Sequence, residues 1–141
     1  MQMLKKTAKA NDLPFGDRTM TFNSRRAQEL AKWAESSGQR ETFDETVFRA
    51  YFVDGLNIAE MPILLSLIRT AGLDAKDAEH ALEEGRFRPA VDRDWAYSRA
   101  CGVTAVPTFM VGDHRIVGAQ PYEAMERLVL AAGARPHGEF P

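Results

Sequence analysis

A single thiol is the strongest nucleophile that this sequence offers. Cys101 is the only cysteine among 141 residues, so no disulfide can form within the chain. It is predicted at the C-terminal end of a helix, where backbone carbonyls disfavour a thiolate; a reactive thiol needs a helix N-terminus or a neighbouring cation. We therefore interpret Cys101 as a small buried hydrophobic residue and assign no catalytic residue in this chain.

The other side chains that often act in catalysis show no spacing typical of a reactive site. The histidines are predicted on a polar helix face, in a hairpin turn and in the C-terminal tail, without metal-ligand spacing: they are His80, His114 and His137. The acidic residues are typical of solvated helix faces and caps: Asp17, Asp44, Glu45, Asp77, Glu79, Glu83 and Glu84. We expect no metal site, no cofactor and no carboxylate acid–base pair.

A proline step leads into a predicted β-hairpin. Val106–Pro107 precedes the run 108–111, which is β-branched, aromatic or apolar throughout, and 112–114 offers a tight reversal into a second short strand at 115–117. Pro121 then opens a helix with apolar residues at helical spacing. Base rates alone favour a trans proline peptide, because only about 5–6% of X–Pro bonds in folded proteins are cis.

Helical spacing of apolar residues predicts six helices upstream of this hairpin. They cover about residues 3–10, 24–36, 43–52, 62–71, 74–84 and 89–101. Asn23 or Ser24 is predicted to cap the start of the second helix, and Asp74 the start of the fifth. The face of the second helix that is predicted to point inward consists of Ala27, Leu30, Ala31 and Ala34. Several aromatic residues are interpreted as core residues, and the alternative is a substrate groove between the helical part and the hairpin: Trp33, Phe48, Tyr51, Phe52 and Trp95.

The composition is that of an ordinary globular domain. Hydrophobic residues make up 45% and charged residues 27% of the chain, which excludes a disordered protein. A net charge of −2 with interspersed signs gives no electrostatic case for binding nucleic acid or a membrane. The longest apolar run, at 63–65, is too short to span a bilayer, and the N-terminal residues lack the apolar core of a signal peptide. We expect a cytoplasmic location.

The ordered motifs of this chain resemble one known family. Gly-Val-Thr-Ala-Val-Pro-Thr-Phe at 102–109, then a hairpin, then Gly-Ala-Gln-Pro at 118–121 and a helix are similar to the C-terminal half of a DsbA-like thioredoxin-fold protein. The FrnE-type and 2-hydroxychromene-2-carboxylate isomerase-like branches look closest. Upstream segments extend the resemblance, in the same order, over about 4–132: Leu-Pro-Phe-Gly at 13–16, Asn-Ser at 23–24, Phe-Arg-Ala-Tyr-Phe at 48–52 and Ala-Gly-Leu-Asp at 71–74.

The resemblance implies an α/β, thioredoxin-like fold of the DsbA family, in a single domain over residues 1–141. A helical insertion would cover about residues 1–101, and a C-terminal β-hairpin and helix, the second half of the thioredoxin fold, would cover 102–133. The family's N-terminal strand and Cys-x-x-Cys helix have no counterpart in this sequence, so the sheet would be incomplete. Gln28 also stands where FrnE-like sequences often carry a histidine.

The resemblance further implies a substrate loop at Ala105, Val106 and Pro107. In the family the proline peptide is cis, and the N–H and C=O of the preceding residue pair with an extended substrate chain. We therefore expect a cis Val106–Pro107 bond and an extended peptide or a thiol compound as the substrate.

The resemblance implies a thiol–disulfide oxidoreductase that is inactive as this chain alone, because exchange catalysis uses the Cys-x-x-Cys pair. One alternative is a non-catalytic peptide-binding or assembly module, and another is a glutathione-dependent isomerase-like protein. A misassigned start, a separate chain that supplies the first half, or a shortened gene would each explain the difference from the family.

The expected sheet also bears on oligomeric state. A two-stranded hairpin alone is marginally stable, and it leaves backbone groups and apolar side chains such as Phe109 and Val111 uncovered. We expect a homo-oligomer, most simply a two-fold dimer, or a partner that supplies the missing N-terminal half.

Overall fold

The computed structural model describes residues 2–17 and 20–135. Within them the chain forms six helices, a two-stranded hairpin and a final helix, which confirms the predicted order of elements. The helices are α1 Gln2–Ala10, α2 Arg25–Ser36, α3 Arg40–Phe52, α4 Met61–Thr70, α5 Ala75–Glu83, α6 Arg88–Ala100 and α7 Tyr122–Ala131, and the strands are β1 Thr108–Val111 and β2 His114–Val117. No helix in this part of the chain is long and apolar enough to cross a membrane.

The chain divides into two compact units, and the boundary lies within α6, between Asp94 and Trp95. We call the described residues up to Asp94 the helical unit, and residues 95–135 the hairpin unit. The expected single domain, with its two parts divided near Cys101, stays a prediction.

The core of the helical unit is formed by four helices. α2 packs against α3 and α5, and α4 packs against the same two helices. The inward face predicted for α2 is buried, as the spacing of its apolar residues requires: it consists of Ala27, Leu30, Ala31 and Ala34. Removal of these apolar surfaces from water is the main term that stabilises the unit.

Capping residues fix where two of these helices begin. The Asp74 carboxylate accepts hydrogen bonds from the backbone N–H groups of Lys76 at 2.9 Å and Asp77 at 3.2 Å, which caps α5 as predicted. Before α2, Asn23 Oδ1 accepts the backbone N–H of Arg25 at 2.9 Å. Of the two predicted caps of α2, Asn23 therefore accepts a backbone N–H of the helix, and the Ser24 side chain makes no capping bond to the backbone.

A glycine allows the segment before α2 to approach the end of α3. The N–H of Gly16 donates to the carbonyl oxygen of Phe52 at 2.9 Å. A Cβ at Gly16 would lie 1.8 Å from the carbonyl oxygen of Val53, so any side chain would displace one of the two backbones. This approach brings the centroid of the Phe15 ring to 6.1 Å from the centroid of the Phe52 ring.

A buried tryptophan links α2 to α5. Trp33 is 6% exposed, and its Nε1 donates to Asp77 Oδ2 at 2.6 Å. Arg86 Nη2 donates to the other carboxylate oxygen of Asp77 at 2.8 Å. The hydrogen bonds from Arg86 and Trp33 lower the pKa of Asp77. The description of Asp77 as a solvated helix residue is incomplete, because its exposed carboxylate also satisfies the indole N–H of a buried side chain.

The interpretation of the aromatic residues as core is right for Trp33 and wrong for three others. Phe48 is 60% exposed, Trp95 39% and Phe52 37%. In α3 the buried positions are Phe43, Val47 and Ala50, at i, i+4 and i+7 spacing. Phe48 and Phe52 are each displaced by one or two positions from that stripe, which turns their rings away from the core.

The hairpin unit holds the sheet. β1 pairs antiparallel with β2, with Phe109 opposite Ile116 and Val111 opposite His114. Gly112, the first residue of the two-residue turn, has a φ of +56°, as a type II′ turn requires at that position. His114, predicted in the turn, is the first residue of β2 instead, because the turn closes in two residues.

Candidate functional site

The candidate substrate loop lies at the start of the hairpin. Thr108 Oγ1 donates to the carbonyl oxygen of Ala105 at 2.6 Å, and the N–H of Gly118 donates to the carbonyl oxygen of Pro107 at 2.7 Å. The Val106–Pro107 peptide bond is cis, which confirms the expectation. Two hydrogen bonds therefore hold the loop on either side of Val106.

Val106 is the most solvent-exposed large hydrophobic residue that the structure describes, at 88%. Its neighbours in the loop each have a bonded carbonyl, whereas no hydrogen bond within residues 2–17 and 20–135 engages the N–H or C=O of Val106. An extended peptide can pair with such a donor and acceptor by strand addition. The geometry is compatible with a peptide contact at Val106.

Cys101 directly follows α6, as predicted. Its backbone N–H donates to the carbonyl oxygen of Tyr97 at 2.9 Å, and its side chain is half-buried rather than buried. The expectation of a buried residue is therefore wrong, because the last turn of α6 is mostly exposed. A hydrogen bond with the Cys101 side chain raises the pKa of Tyr97. The four-residue separation of the two side chains on a helix would have suggested this contact from the sequence.

Arg115 contacts Gly102, the residue that follows Cys101. Arg115 Nη1 donates to the carbonyl oxygen of Gly102 at 2.9 Å. The bond ties the end of α6 to β2 within the hairpin unit. Arg115 was not singled out from the sequence, since its partner is a backbone carbonyl thirteen residues away.

The histidines lie apart from one another, as far as the structure describes them. His80 Nε2 lies 3.1 Å from Glu84 Oε1 on α5, and His114 begins β2. His137 lies outside the described residues. Among those that are described, no group of three histidine, cysteine or acidic residues could hold a metal ion.

A cavity of about 500 Å³ lies in the helical unit. Aromatic residues of α3, among them Phe48, Tyr51 and Phe52, line one part of it. Gln28 and Ser24 line another part, where Gln28 Nε2 donates to Ser24 Oγ at 2.9 Å. These three aromatic residues thus line a cavity within the helical unit. The predicted substrate groove, which would lie between the helical part and the hairpin, stays a prediction.

Ion pairs neutralise the charged groups that line this cavity. Lys32 Nζ lies 2.9 Å from Asp94 Oδ2, and Arg40 Nε lies 3.0 Å from Asp44 Oδ2. The hydrogen bond with Asp94 raises the pKa of Lys32, and the bond with Asp44 raises that of Arg40. The lining therefore suits uncharged apolar groups rather than an anion.

The fold and the motifs have counterparts in known proteins. The family model described as "DSBA-like thioredoxin domain" matches residues 1–129. The chain belongs to this family, and its predicted fold class, a DsbA-like thioredoxin fold that is mostly helical with a small antiparallel sheet, is confirmed.

Two individual proteins are similar to this chain. The crystal structure of a probable DsbA oxidoreductase, SCO1869 from Streptomyces coelicolor, superposes with a TM-score of 0.77 and 25% identity, covering 99% of this chain and 62% of that one. The uncharacterized protein YwbO from Bacillus subtilis (strain 168) is 33% identical over 100 residues, which is 69% of this chain and 49% of that protein. The chain thus spans about half the length of one relative and under two thirds of the other.

Proposed function

We propose that this chain is a member of the thiol–disulfide oxidoreductase family that binds an extended peptide or thiol substrate at Ala105, Val106 and Pro107 without catalysing disulfide exchange by itself. The observation that carries the proposal is the state of Val106. Its side chain is 88% exposed, and its backbone donor and acceptor are open while the two flanking carbonyls are bonded. This arrangement supports pairing with the backbone of a substrate.

The lack of catalysis follows from the thiol content of the chain. Exchange catalysis uses one activated thiolate to attack a disulfide and a second thiol to resolve the mixed disulfide. The sequence contains Cys101 alone, and Cys101 follows the C-terminal end of α6, where backbone carbonyls disfavour a negative charge. The cytoplasmic location and the finer placement in the FrnE-type or chromene-carboxylate isomerase-like branches stay predictions.

One assay tests both parts of the proposal. Insulin is reduced with dithiothreitol, and precipitation of its B chain is followed in the presence of the wild type, Cys101→Ser or Val106→Asp. We expect precipitation to begin no earlier than with dithiothreitol alone. We also expect the wild type and Cys101→Ser to lower the final turbidity equally, because both hold the extended B chain, whereas Val106→Asp lowers it less.

Two results would contradict the proposal. Faster precipitation with the wild type but not with Cys101→Ser would show that Cys101 is a working nucleophile. Turbidity lowered as much by Val106→Asp as by the wild type, or lowered by neither, would remove Val106 from substrate binding.

A non-catalytic assembly module is the second candidate, and it rests on a different observation. Phe109, Met110 and Val111 of β1 are 39%, 43% and 37% exposed, so the strand offers apolar surface to a partner. In this case the chain would act by holding another polypeptide rather than by presenting a substrate to a thiol. A glutathione-dependent isomerase-like protein remains the third alternative.

A further inference from the structure

Two ion pairs join the first half of α6 to α2. Asp92 Oδ1 lies 2.6 Å from Arg25 Nη2, and Asp94 Oδ2 lies 2.9 Å from Lys32 Nζ. Among the residues of α6, Val91 alone is buried, and it does not belong to the core cluster of the helical unit. Charged side chains, rather than a broad apolar face, therefore attach this segment to α2. We call residues 88–94 the strap.

The strap forms one side of the cavity in the helical unit. Val91 and Asp94 line this cavity of about 500 Å³ together with Ala31 and Lys32 of α2. The ion pair between Asp94 and Lys32 thus lies at the cavity wall, where the strap meets α2. Movement of the strap away from α2 would open the cavity between these two helices.

The start of the strap has its own anchor. Phe87, the residue before α6, packs against the core of the helical unit. Arg88 Nε lies 3.8 Å from Oε2 of the buried residue Glu29. Residues 91–94 can therefore leave α2 while residue 87 stays in place.

The two cations of α2 keep a carboxylate partner when the strap leaves. Arg25 Nε lies 3.1 Å from Glu29 Oε1, and Lys32 Nζ lies 3.4 Å from Glu35 Oε2, both within α2. A partly buried charge that loses its partner opposes the movement that separates them. Because Arg25 and Lys32 each retain an opposite charge, this obstacle to opening is small.

Partly exposed ion pairs stabilise a contact weakly, and salt screens them. The side chains of Asp92 and Asp94 are 59% and 58% exposed. We propose that the strap is a salt-sensitive gate of the cavity, which closes it at low ionic strength and moves off α2 when the pairs of Asp92 and Asp94 are screened or removed. The proposal does not depend on peptide binding by Val106.

Labelling of a buried thiol measures the opening. In a Cys101→Ser background, Val91→Cys places a thiol at a position that is 1% exposed, so iodoacetamide, a neutral reagent, reaches it only when the strap opens. The labelling rate follows the open population when closing is faster than the reaction. Each rate is divided by that of the same chain unfolded in urea, which corrects for the effect of neighbouring charges on the thiol.

Removal of the ion pairs should speed this labelling. We expect Asp92→Asn and Asp94→Asn each to raise the rate by about two- to fivefold, the effect of removing one exposed ion pair, and the double variant to be faster than either. At about 1 M sodium chloride, where charges are screened within about 3 Å, the chain with both aspartates should approach the rate of the double variant. Equal rates with and without the two aspartates, or equal dependence on salt, would overturn the proposal.

Two controls separate the strap from general changes in charge or stability. Glu35→Gln also removes an ion pair of Lys32, and the Glu35 side chain is 53% exposed, but its ion pairs join Lys32 and Arg40, which lie outside α6. We expect it to leave labelling of Val91→Cys unchanged. Ala50→Cys places a thiol in the core, at a position that is 1% exposed, and loss of the two aspartates should not speed its labelling. Faster labelling in either control would show a general loosening of the helical unit and overturn the gate.

A second reporter keeps the test valid if Val91→Cys folds poorly. Ala31 lines the cavity from α2 and is 7% exposed. Labelling of Ala31→Cys should be faster in Asp92→Asn/Asp94→Asn than in the chain with both aspartates, because the cavity is then open more often. Equal rates would show that the strap does not control access to the cavity, and the proposal would be wrong.

Discussion

The helical unit and the hairpin unit differ sharply in how much apolar surface they bury. Among the described residues, every buried hydrophobic side chain except Leu128 belongs to the helical unit. That unit has a core of residues from α2, α3, α4 and α5 that contact one another. The hairpin unit has strands of four residues and exposed aromatic and aliphatic side chains on β1.

The two units therefore have different sources of stability. A packed core stabilises its surroundings through burial and dispersion contacts. In the hairpin unit, Leu128 is the single hydrophobic residue described as buried, so burial and dispersion contacts contribute little there. A two-stranded sheet is only marginally stable by itself. We therefore expect the free energy of local opening to be high in the helical unit and low in the hairpin unit, unless a partner covers β1.

The largest expected effect is on the core of the helical unit. Phe43 is 1% exposed, whereas Phe48, on the same helix, is 60% exposed. We expect Phe43→Ala to lower the free energy of unfolding by about 3–5 kcal/mol, because it leaves a cavity in a packed core. Phe48→Ala should lower it by less than about 1 kcal/mol. Urea unfolding followed by far-UV circular dichroism measures both, and similar losses would show that the core is not where burial places it.

A second pair of variants tests whether the hairpin unit opens independently. Leu128 is 6% exposed and Leu130 46% exposed, both on α7. We expect Leu128→Ala to weaken the hairpin unit by at least about 2 kcal/mol, which corresponds to roughly thirtyfold faster hydrogen exchange of the β1 and β2 amides. Leu130→Ala should change these rates little.

The same variants should leave the helical unit unchanged. In a Trp95→Phe background, the fluorescence of Trp33 reports on the helical unit alone, since Trp33 is its tryptophan. The urea midpoint of that signal should be equal with and without Leu128→Ala. A lower midpoint with Leu128→Ala would show that the two units unfold together and would remove the contrast in their stability.

Local sequence signals predicted most of the helical unit. Ala27, Leu30 and Ala34 recur at helical spacing, and all are buried in α2. Asp74 was predicted as a cap, and its carboxylate binds two N–H groups of α5. Such features depend on residues within a few positions of one another, so the sequence contains the information needed to predict them.

Features that depend on distant residues were missed or wrong. The contact of Trp33 with Asp77 joins side chains forty-four residues apart, and no local pattern indicates it. The prediction that Phe48 lies in the core was wrong. Helical spacing identifies the apolar face of a helix, but it does not show where that face ends. In the candidate site, the cis bond at Pro107 came from family resemblance, whereas the bond from Arg115 to the carbonyl oxygen of Gly102, thirteen residues away, was not predicted.

The smallest effect concerns one charge in the helical unit. Asp77 accepts hydrogen bonds from Arg86 and from the indole of Trp33, and these two bonds lower its pKa below the ordinary value of 3.8. A carboxyl group whose pKa is lower in the folded than in the unfolded state stabilises the fold in its ionised form. This contribution is fully present above about pH 4 and is lost as the pH falls through the folded pKa.

The comparison of Asp77→Asn with the wild type isolates this contribution, because asparagine keeps an oxygen that can accept the Trp33 N–H but carries no charge. We expect the wild type to be the more stable near neutral pH, with an advantage that shrinks as the pH falls below 3.8. Unfolding in urea, followed by Trp33 fluorescence in the Trp95→Phe background across this pH range, measures it. An advantage of the wild type that does not shrink as the pH falls would show that the charge of Asp77 does not stabilise the helical unit.

The effect of Asp77→Asn should be confined to the helical unit. Asp77, Arg86 and Trp33 all belong to the helical unit, so Asp77→Asn should leave hydrogen exchange of the β1 and β2 amides unchanged near neutral pH, where those amides exchange through openings of the hairpin unit alone. Faster exchange in β1 and β2 would mean that these amides exchange only when the helical core opens. The hairpin would then share the stability of that core, and the contrast between the two units would describe burial but not stability.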